Sequence, residues 1–529
     1  MVSTMKNRRL TWLMSWSAAS VIASGCDYLS IGLDNDCEFL LTCPHFLDGT
    51  GGSVPNPDCE ADPTQGASTV TDECAVFASA TAEAGGDGTK ERPYASLGEA
   101  VANANGKRVL ACASKPFGES VVIEAGVEVI GGFDCEAGWT WSEQARSGIA
   151  GPSGAVALTL AEGASGAKVR SFAVTAASAT EPGGSSIGVA VADVDAELAQ
   201  VDVTAGDAMD GAKGETPAEA PQEGAPGMVG TNACSLPAAV RGGQPGVTMC
   251  EGGGTSSGGR GGLGGIIDTE GGNGLTGEDG TPLPEENPDE YGLGGAGQVA
   301  GSCRQGEPGA PGADGGPGVV GSDTLLSLAG IAGGDGGSGV AGTRGQGGGG
   351  GGGAKAGLFC PATPDPVEGP GASGGGGGAG GCGGKGGGGG KGGGSSLGIV
   401  SLGTKLVLTE VTVAVGRAGK GGDGVAGQSG ANGGLGAVGG NASGVSPSIP
   451  GCKGGDGGRG GAGGPGGGGR GGHAVGIAYA TMPSAAVALK GFTEGAAGDG
   501  GGAGPGGNAG TPGASGTCWN FGGNESCGQ

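Results

Sequence analysis

The residues of this chain that could do chemistry are few. Asp193, Asp195 and Glu197 alternate along one stretch, so their carboxylates would share one face of an extended strand. Carboxylate oxygens gathered in this way could bind Ca²⁺. The same alternation is typical of the water-facing side of a strand, and we favour that interpretation. We therefore expect no metal and no cofactor, and keep these three residues only as a weak calcium candidate.

The rest of the sequence offers no obvious residues for acid–base catalysis. It needs paired carboxylates, or a base beside a bound metal. The two histidines, His45 and His473, stand alone in the sequence, and we expect both to be solvated or turn residues. Trp139 and Trp141 would share a strand face, where they could stack on a sugar or close the edge of an apolar core. We favour the core edge and predict no catalytic residue.

The balance of charge excludes one class of partner. The chain has 26 Lys and Arg against 52 Asp and Glu, whereas nucleic-acid binding needs clustered positive charge. GxGxxG strings are common, but none follows a strand and opens a helix, so a nucleotide site is not indicated. The GGDGG strings lack the nine-residue period and the aliphatic positions of calcium-binding repeats.

The N-terminus indicates export. A basic start, KNRR, precedes an apolar run over 10–22 that is too short to span a membrane. Small residues then end on Cys26, which resembles a bacterial lipobox and implies that Cys26 is the lipidated mature N-terminus. An ordinary cleaved signal with a coincidental cysteine is the alternative. Asp27 leaves open whether the inner or the outer membrane is the destination.

The cysteines fit an oxidising compartment. The chain has 15 of them, and a lipidated Cys26 leaves an even number for disulfides. No CxxC pair is present, so a zinc site is not indicated. The disulfide candidates that we single out are Cys37, Cys43, Cys59, Cys74, Cys112, Cys135, Cys234, Cys250, Cys518 and Cys527.

Short apolar runs predict a β-rich core. Ser96 and Glu99 form a capping box, which predicts a helix over 97–104. Runs with β character follow at 108–112, 121–124 and 127–130. We also expect a strand over 193–198 because its apolar and acidic residues alternate.

An internal repeat recurs along the chain. KVRSFAVTAA at 168–177, ELAQVDVTAG at 197–206 and VLTEVTVAVG at 407–416 carry apolar residues at matching offsets. SSIGV at 185–189 matches SSLGI at 395–399, and 473–495 is a weaker copy. Such units are too small to bury a face alone, so we expect them to stack.

Glycine makes up 140 of the 529 residues, against a usual share of about 7%. It recurs with a period of three over 333–351, 421–439, 451–472 and 495–516. That period fits a three-residue helix. Proline is too scarce for collagen, which leaves polyglycine II, with hydrogen bonds between helices, or disorder. We favour ordered bundles, clamped by disulfides of Cys360, Cys382, Cys452 and Cys518.

The phrase DGTKERPYASLGEAVANANG, which opens 87–134, resembles the start of right-handed parallel β-helix domains of the pectate-lyase-like superfamily. The resemblance implies a small solenoid capped by a short helix. It also implies that Cys112 and Cys135, one coil apart, form a disulfide. The chain as a whole is similar to myxobacterial glycine-rich (PE-PGRS-like) surface lipoproteins.

The expected fold is therefore all-β: a small right-handed parallel β-helix with long glycine-rich loops. We expect a lipid-anchored, non-catalytic protein at the outer membrane or cell surface, with a structural or adhesive role. Its partners would be the membrane and envelope polysaccharide or surface proteins. The alternative is a carbohydrate-active β-helix. The expected segments are a signal peptide (1–25), a Cys-rich tether (26–86), β-helix parts (87–205, 396–416 and 473–494) and glycine-rich parts (206–395, 417–472 and 495–529).

Overall fold

A computed structural model describes residues 59–527, apart from 236–239, 253, 268–269, 323 and 485–487. The first elements in chain order are β1 (Ala75–Ala78), α1 (Leu97–Ala102), β2 (Arg108–Cys112), β3 (Val121–Ile123), β4 (Glu128–Asp134), β5 (Thr140–Trp141), β6 (Ser147–Gly151), β7 (Val156–Leu160), β8 (Ala167–Ala176), β9 (Ser186–Val191) and β10 (Ala196–Ala205). Short 3₁₀ turns occur at Ala67–Thr69 and Glu270–Gly272.

The remaining strands punctuate the glycine-rich part of the chain. They are β11 (Val247–Cys250), β12 (Gly254–Ser257), β13 (Thr324–Ser327), β14 (Gly330–Gly333), β15 (Gly357–Cys360), β16 (Val367–Gly369), β17 (Ser396–Ser401), β18 (Leu406–Thr409), β19 (Thr412–Val415), β20 (Ala474–Tyr479), β21 (Gly491–Thr493), β22 (Ser515–Asn520) and β23 (Glu525–Ser526). The described part of the chain is therefore all-β with one short α-helix.

Two sheets, parallel except at β5 and β23, collect most of these strands. Sheet 1 has the order β1-β2-β4-β8-β10-β19-β21, with β5, β6 and β18 paired at its side. Sheet 2 has the order β3-β7-β9-β17-β20-β22-β23. From β7 to β10 the chain alternates between the two sheets. It does so again from β17 to β22, except that β18 and β19 follow one another in sheet 1. Three separate antiparallel hairpins are β11–β12, β13–β14 and β15–β16.

The register of the strands confirms the internal repeat. Leu198 pairs with Val169 on one side and with Leu408 on the other. In sheet 2, Ile187 pairs with Leu397, which pairs in turn with Val475. The weaker repeat copy over 473–495 therefore also stacks. Residues that match in the sequence thus lie next to each other in space.

The main core lies between the two sheets. Sheet 1 contributes one apolar column and sheet 2 another, and both are almost fully buried. Representative members are Val169, Phe172, Leu198 and Val413 from sheet 1, and Val189, Ile399 and Ile477 from sheet 2. Helix α1 covers one end of this core with Leu97, Ala100 and Val101.

The predicted helix and strands hold, with corrections at their ends. The Ser96 hydroxyl accepts a hydrogen bond from the Glu99 N–H, which confirms the helix start, but the helix ends at Ala102. The strand expected over 193–198 begins at Ala196, because the chain turns between the two sheets just before it. Burial still alternates there, since Val194 and Leu198 are buried.

Three of the repeats bend at one residue with a left-handed backbone. Ser171, Gln200 and Glu410 have φ angles of 60°, 53° and 52°. They occupy equivalent positions, since Ala199 pairs with both Arg170 and Thr409. The bend accommodates one extra residue in the strand. This explains why the buried apolar residues are spaced by three positions across the bend, from Leu198 to Val201, and by two after it, from Val201 to Val203. Their side chains stack, with the Ser171 hydroxyl 3.3 Å from the Gln200 amide oxygen.

We expect Gln200→Val to lower the free energy of unfolding by about 1–2 kcal/mol, because a β-branched residue is strongly disfavoured in the left-handed region. Gln200→Gly removes the same stacking contacts but suits the backbone, so it should cost about 1 kcal/mol less than valine. Chemical denaturation of both variants measures the difference. Equal stabilities would show that the bend carries no backbone constraint.

Candidate functional site

The glycine-rich segments form one hydrogen-bonded assembly, which we call the glycine array. Its segments are 206–235, 240–246, 258–265, 272–281, 292–298, 303–321, 334–354, 371–394, 416–441, 451–472 and 495–514. Backbone N–H groups at every third residue donate to one neighbouring segment. For example, Gly336, Gly339 and Gly342 donate to Gly390, Gly387 and Gly384, at 2.8–2.9 Å.

Segment 334–354 lies at the centre, with six neighbours. Every third N–H group of this segment donates to the same neighbour. The three sets of N–H groups therefore donate to 371–394, to 303–321 and to 272–281. Its carbonyls accept from 451–472, 258–265 and 292–298. With three residues per turn, consecutive residues face different neighbours, so one segment can bond in all directions.

Full enclosure explains the run of seven glycines at 347–353, all of which are buried. A Cβ on Gly348 would lie under 3.0 Å from the Gly455 carbonyl oxygen, and one on Gly349 would lie equally close to that of Leu293. At Gly350 the obstructing atom is the Arg260 carbonyl oxygen. No residue with a side chain fits at three successive positions when three different backbones are this close.

Partial enclosure explains the GG-x pattern of 451–472. Its third positions, such as Ala462 and Pro465, carry side chains where no segment faces them. From Gly468 onward these positions become glycine, and the N–H groups of Gly468 and Gly471 donate to Asn508 and Thr511 at 2.9 Å. Glycine therefore marks the faces that another segment covers.

Aspartates close faces of the array that lack a further segment. The Gly424 N–H donates to the Gly502 carbonyl, but the equivalent N–H of Gly436, past the end of that neighbour, donates to the Asp456 carboxylate at 2.8 Å. The carboxylate thus replaces a missing carbonyl. Aspartates that accept array N–H groups in this way are Asp207, Asp210, Asp279, Asp314, Asp335, Asp423 and Asp456. This accounts for the GGD strings without calcium.

Asp456 should make the array sensitive to acid. Burial alone would raise the pKa of its carboxyl, but hydrogen bonds from Lys453 and the Gly436 N–H outweigh this and lower the pKa. A lowered folded-state pKa means that the stabilisation is present above the unfolded-state pKa and is lost as the pH falls through the folded value.

We expect Asp456→Ala to cost about 1 kcal/mol at pH 7, since the ion pair with Lys453 is half-exposed and screened. Asp456→Asn keeps an acceptor for the Gly436 N–H and should cost less. Stability measured from pH 5 down to pH 2 should fall less steeply for both variants than for the wild type. An unchanged slope would contradict the assigned role of this carboxylate.

Among the described residues, three long-range disulfides hold array segments to one another or to the β11–β12 and β15–β16 hairpins, and three others are local. The long-range bonds are Cys234–Cys360, Cys250–Cys382 and Cys303–Cys452, with sequence separations of 126, 132 and 149 residues. The local bonds are Cys59–Cys74, Cys112–Cys135 and Cys518–Cys527. The expected pairing of Cys112 with Cys135 is confirmed. The expectation that Cys518 clamps the array is wrong, because it lies in β22 and bonds Cys527, the residue just after β23. Cys26, Cys37 and Cys43 lie outside the described residues.

The array bears an open cavity of 530 Å³ beside the Cys250–Cys382 disulfide. Lys385 lies in its wall and pairs with Glu251 at 2.8 Å and with Glu219 at 3.2 Å. The hydrogen bond from Lys385 lowers the pKa of Glu251, and the same contact raises the pKa of Lys385. Glu251 is thereby a weak base, and Lys385 stays protonated at neutral pH.

The calcium candidates do not converge on one point. Asp193 and Asp195 lie in the turn before β10, and Glu197 lies within β10. Asp195 pairs with Lys405 at 3.7 Å, and Glu197 with Lys168 at 4.0 Å. Within the described part of the chain, no group of three or more His, Cys, Asp or Glu is placed to hold a metal ion.

The expectation that His473 is a solvated or turn residue is wrong. His473 is 1% exposed instead of solvated, because its ring packs against Trp519 and Phe521 as β20 begins. Burial lowers the pKa of His473 to about 3, with a further contribution from the charge of Arg470. His45 lies outside the described residues.

The two tryptophans do not share a strand face. Trp139 lies in a left-handed turn with φ 64° and is buried edge-on against Phe77, with ring centroids 4.7 Å apart. It belongs to a second apolar cluster on the outer side of sheet 1. Trp141 lies in β5, with the Arg170 guanidinium 5.4 Å from its ring centroid. Trp139 therefore closes a core, as favoured, but from a turn.

No family of known proteins, no curated protein and no solved structure matches this chain. Between residues 59 and 527, outside the gaps named above, no helix has the length and apolar character needed to cross a membrane. The six disulfides indicate an oxidising compartment.

Proposed function

We propose that the two sheets form a right-handed parallel β-helix and that the glycine array is a polyglycine II bundle inserted into it. Three observations support this. The chain passes repeatedly between two mainly parallel sheets, the repeats stack in register, and the array bonds laterally at every third residue. A stacked solenoid accounts for the repeats that lie in register, and a three-fold helical bundle accounts for the bonding at every third residue.

We further propose a lipid-anchored protein of the cell envelope with a structural or adhesive role and no catalysis. The observation that carries the proposal is the structure of the array, whose central run 347–353 is bonded through its backbone to the surrounding segments and carries no side chains. Such a body is rigid, because each segment is held by several others. A catalytic site needs precisely held side chains, and glycine offers none.

Two glycine substitutions test the structural role in cells. Gly350→Ala should disrupt the array, whereas a Cβ on Gly316 would meet nothing within 4 Å. Cells that carry Gly350→Ala should lose surface adhesion or envelope integrity to the same degree as a deletion strain, while Gly316→Ala cells match the wild type. If the array is unfolded in Gly350→Ala cells and their adhesion and envelope integrity are still those of the wild type, the structural proposal is wrong.

The proposed lipid anchor has its own test. Mass spectrometry of the mature protein should find diacylglycerol on Cys26, and Cys26→Ser should shift the protein from the membrane to the soluble fraction. A mature N-terminus elsewhere would overturn the anchor while leaving the structural role untouched.

The absence of catalysis is tested with the purified chain from residue 27 onward. It should leave pectin, alginate and peptidoglycan intact during long incubation with Ca²⁺. Turnover that is lost in Glu197→Ala would favour the carbohydrate-active alternative.

A further inference from the structure

A small cavity of about 20 Å³ lies where the glycine array meets sheet 2. Its walls come from the β13–β14 hairpin, from the end of segment 371–394 and from the end of segment 451–472. A space of this size holds one water molecule or one monoatomic ion. The polar side chains that decide between them are Ser395, Arg470 and His473.

The buried ring of His473 carries a hydrogen-bond donor that has no acceptor among the described residues. Its Nδ1 accepts a hydrogen bond from the Ala514 N–H at 3.2 Å, so the neutral ring carries its proton on Nε2. The side chain is 1% exposed. Its Nε2 is fully buried and finds no partner among the residues that the structure describes.

Arg470 brings a positive charge to the same cavity. A guanidinium stays charged at all ordinary pH values. One of its terminal nitrogens donates to the Ser322 carbonyl at 3.0 Å, whereas Nε is buried and has no acceptor in the described part of the chain. None of the ion pairs among the described residues includes Arg470, although acidic residues are twice as abundant as basic ones.

Ser395 supplies a third donor. Its hydroxyl oxygen accepts the His473 backbone N–H at 2.9 Å, which leaves the hydroxyl hydrogen free to point into the cavity. Among the described residues, the polar side chains that line the cavity, Thr324 included, are all able to donate, and none is a carboxylate. The Arg470 side chain is half-buried with its Nε withdrawn from water, and a positive charge in such a place is stabilised by a partner of opposite sign. We propose that this cavity binds one small inorganic anion, such as chloride, between Arg470 and His473.

A chloride titration tests the site in the intact protein. The protein is dialysed into potassium gluconate and titrated with potassium chloride at constant ionic strength, while calorimetry records Tm. An anion that binds only the folded state should raise Tm by about 1 °C for each tenfold increase in chloride above its Kd. Crystals soaked in bromide should show anomalous density between Arg470 Nε and His473 Nε2.

Two arginine variants separate this site from general salt effects. Arg470→Met should abolish the chloride dependence of Tm. Arg344→Met is the matched control, because Arg344 also has a buried Nε without a partner among the residues that the structure describes, but lines the open 530 Å³ cavity. If the Tm of the wild type does not change with chloride concentration and bromide gives no anomalous density, the cavity holds water and the proposal is overturned. Both wild-type measurements decide the matter even if Arg470→Met does not fold.

Discussion

Gly350→Ala should lower the free energy of unfolding by about 3 kcal/mol or more, although it adds a single methyl group. The new Cβ would lie under 3.0 Å from the Arg260 carbonyl oxygen. That atom belongs to a backbone that is itself held by segment 334–354 and by 371–394. Relief of the clash therefore requires movement of a whole segment and loss of its hydrogen bonds, because no flexible side chain can give way.

Hydrogen exchange measured by mass spectrometry shows where the damage falls. In the wild type, amides of 347–353 should exchange slowly, and in Gly350→Ala they should exchange as fast as in an unfolded chain. Gly316→Ala adds the same methyl group at a position where nothing lies within 4 Å. It should leave exchange unchanged and can even stabilise slightly by restricting the unfolded chain. Equal effects of the two substitutions would show that enclosure is not what selects glycine.

Much of the β-rich part could be predicted from the sequence. Apolar residues at matching positions of the repeats, such as Val169, Leu198 and Leu408, are neighbours in one sheet. The reason is physical: a unit that buries one face against its copy keeps the same side chains at the same places. The bend at Gln200 was hidden in the same pattern, since a spacing of three followed by two does not fit a straight strand.

The site was predicted less completely, and the reasons differ between residues. The period of glycine indicated three-fold segments, but which segments meet depends on pairings between residues that are far apart in sequence. The burial of His473 depends on Trp519 and Phe521, which lie on a later strand. One signal was available in advance: positions where a GG-x run becomes pure glycine, as at Gly468, mark the arrival of another segment.

The three long-range disulfides should be the second strongest determinant of the stability of the array. Replacing Cys303 and Cys452 with alanine opens a loop of 149 residues. The chain-entropy model gives about 5 kcal/mol for a loop of that length, and about half as much for a loop of ten residues. The two other long-range bonds keep part of the constraint, so we expect a loss of about 3–5 kcal/mol.

The matched control is the pair Cys518 and Cys527, whose loop spans 9 residues. Replacing both with alanine should cost about half as much and should leave exchange in segments 451–472 and 303–321 slow. Removing Cys303–Cys452 should instead speed exchange in both of those segments, because this bond joins them directly. The glycine array gains little from burial of apolar side chains, so its order depends on restricting the unfolded chain as well as on hydrogen bonds. Equal exchange patterns in the two variants would mean that backbone hydrogen bonds alone hold the array together.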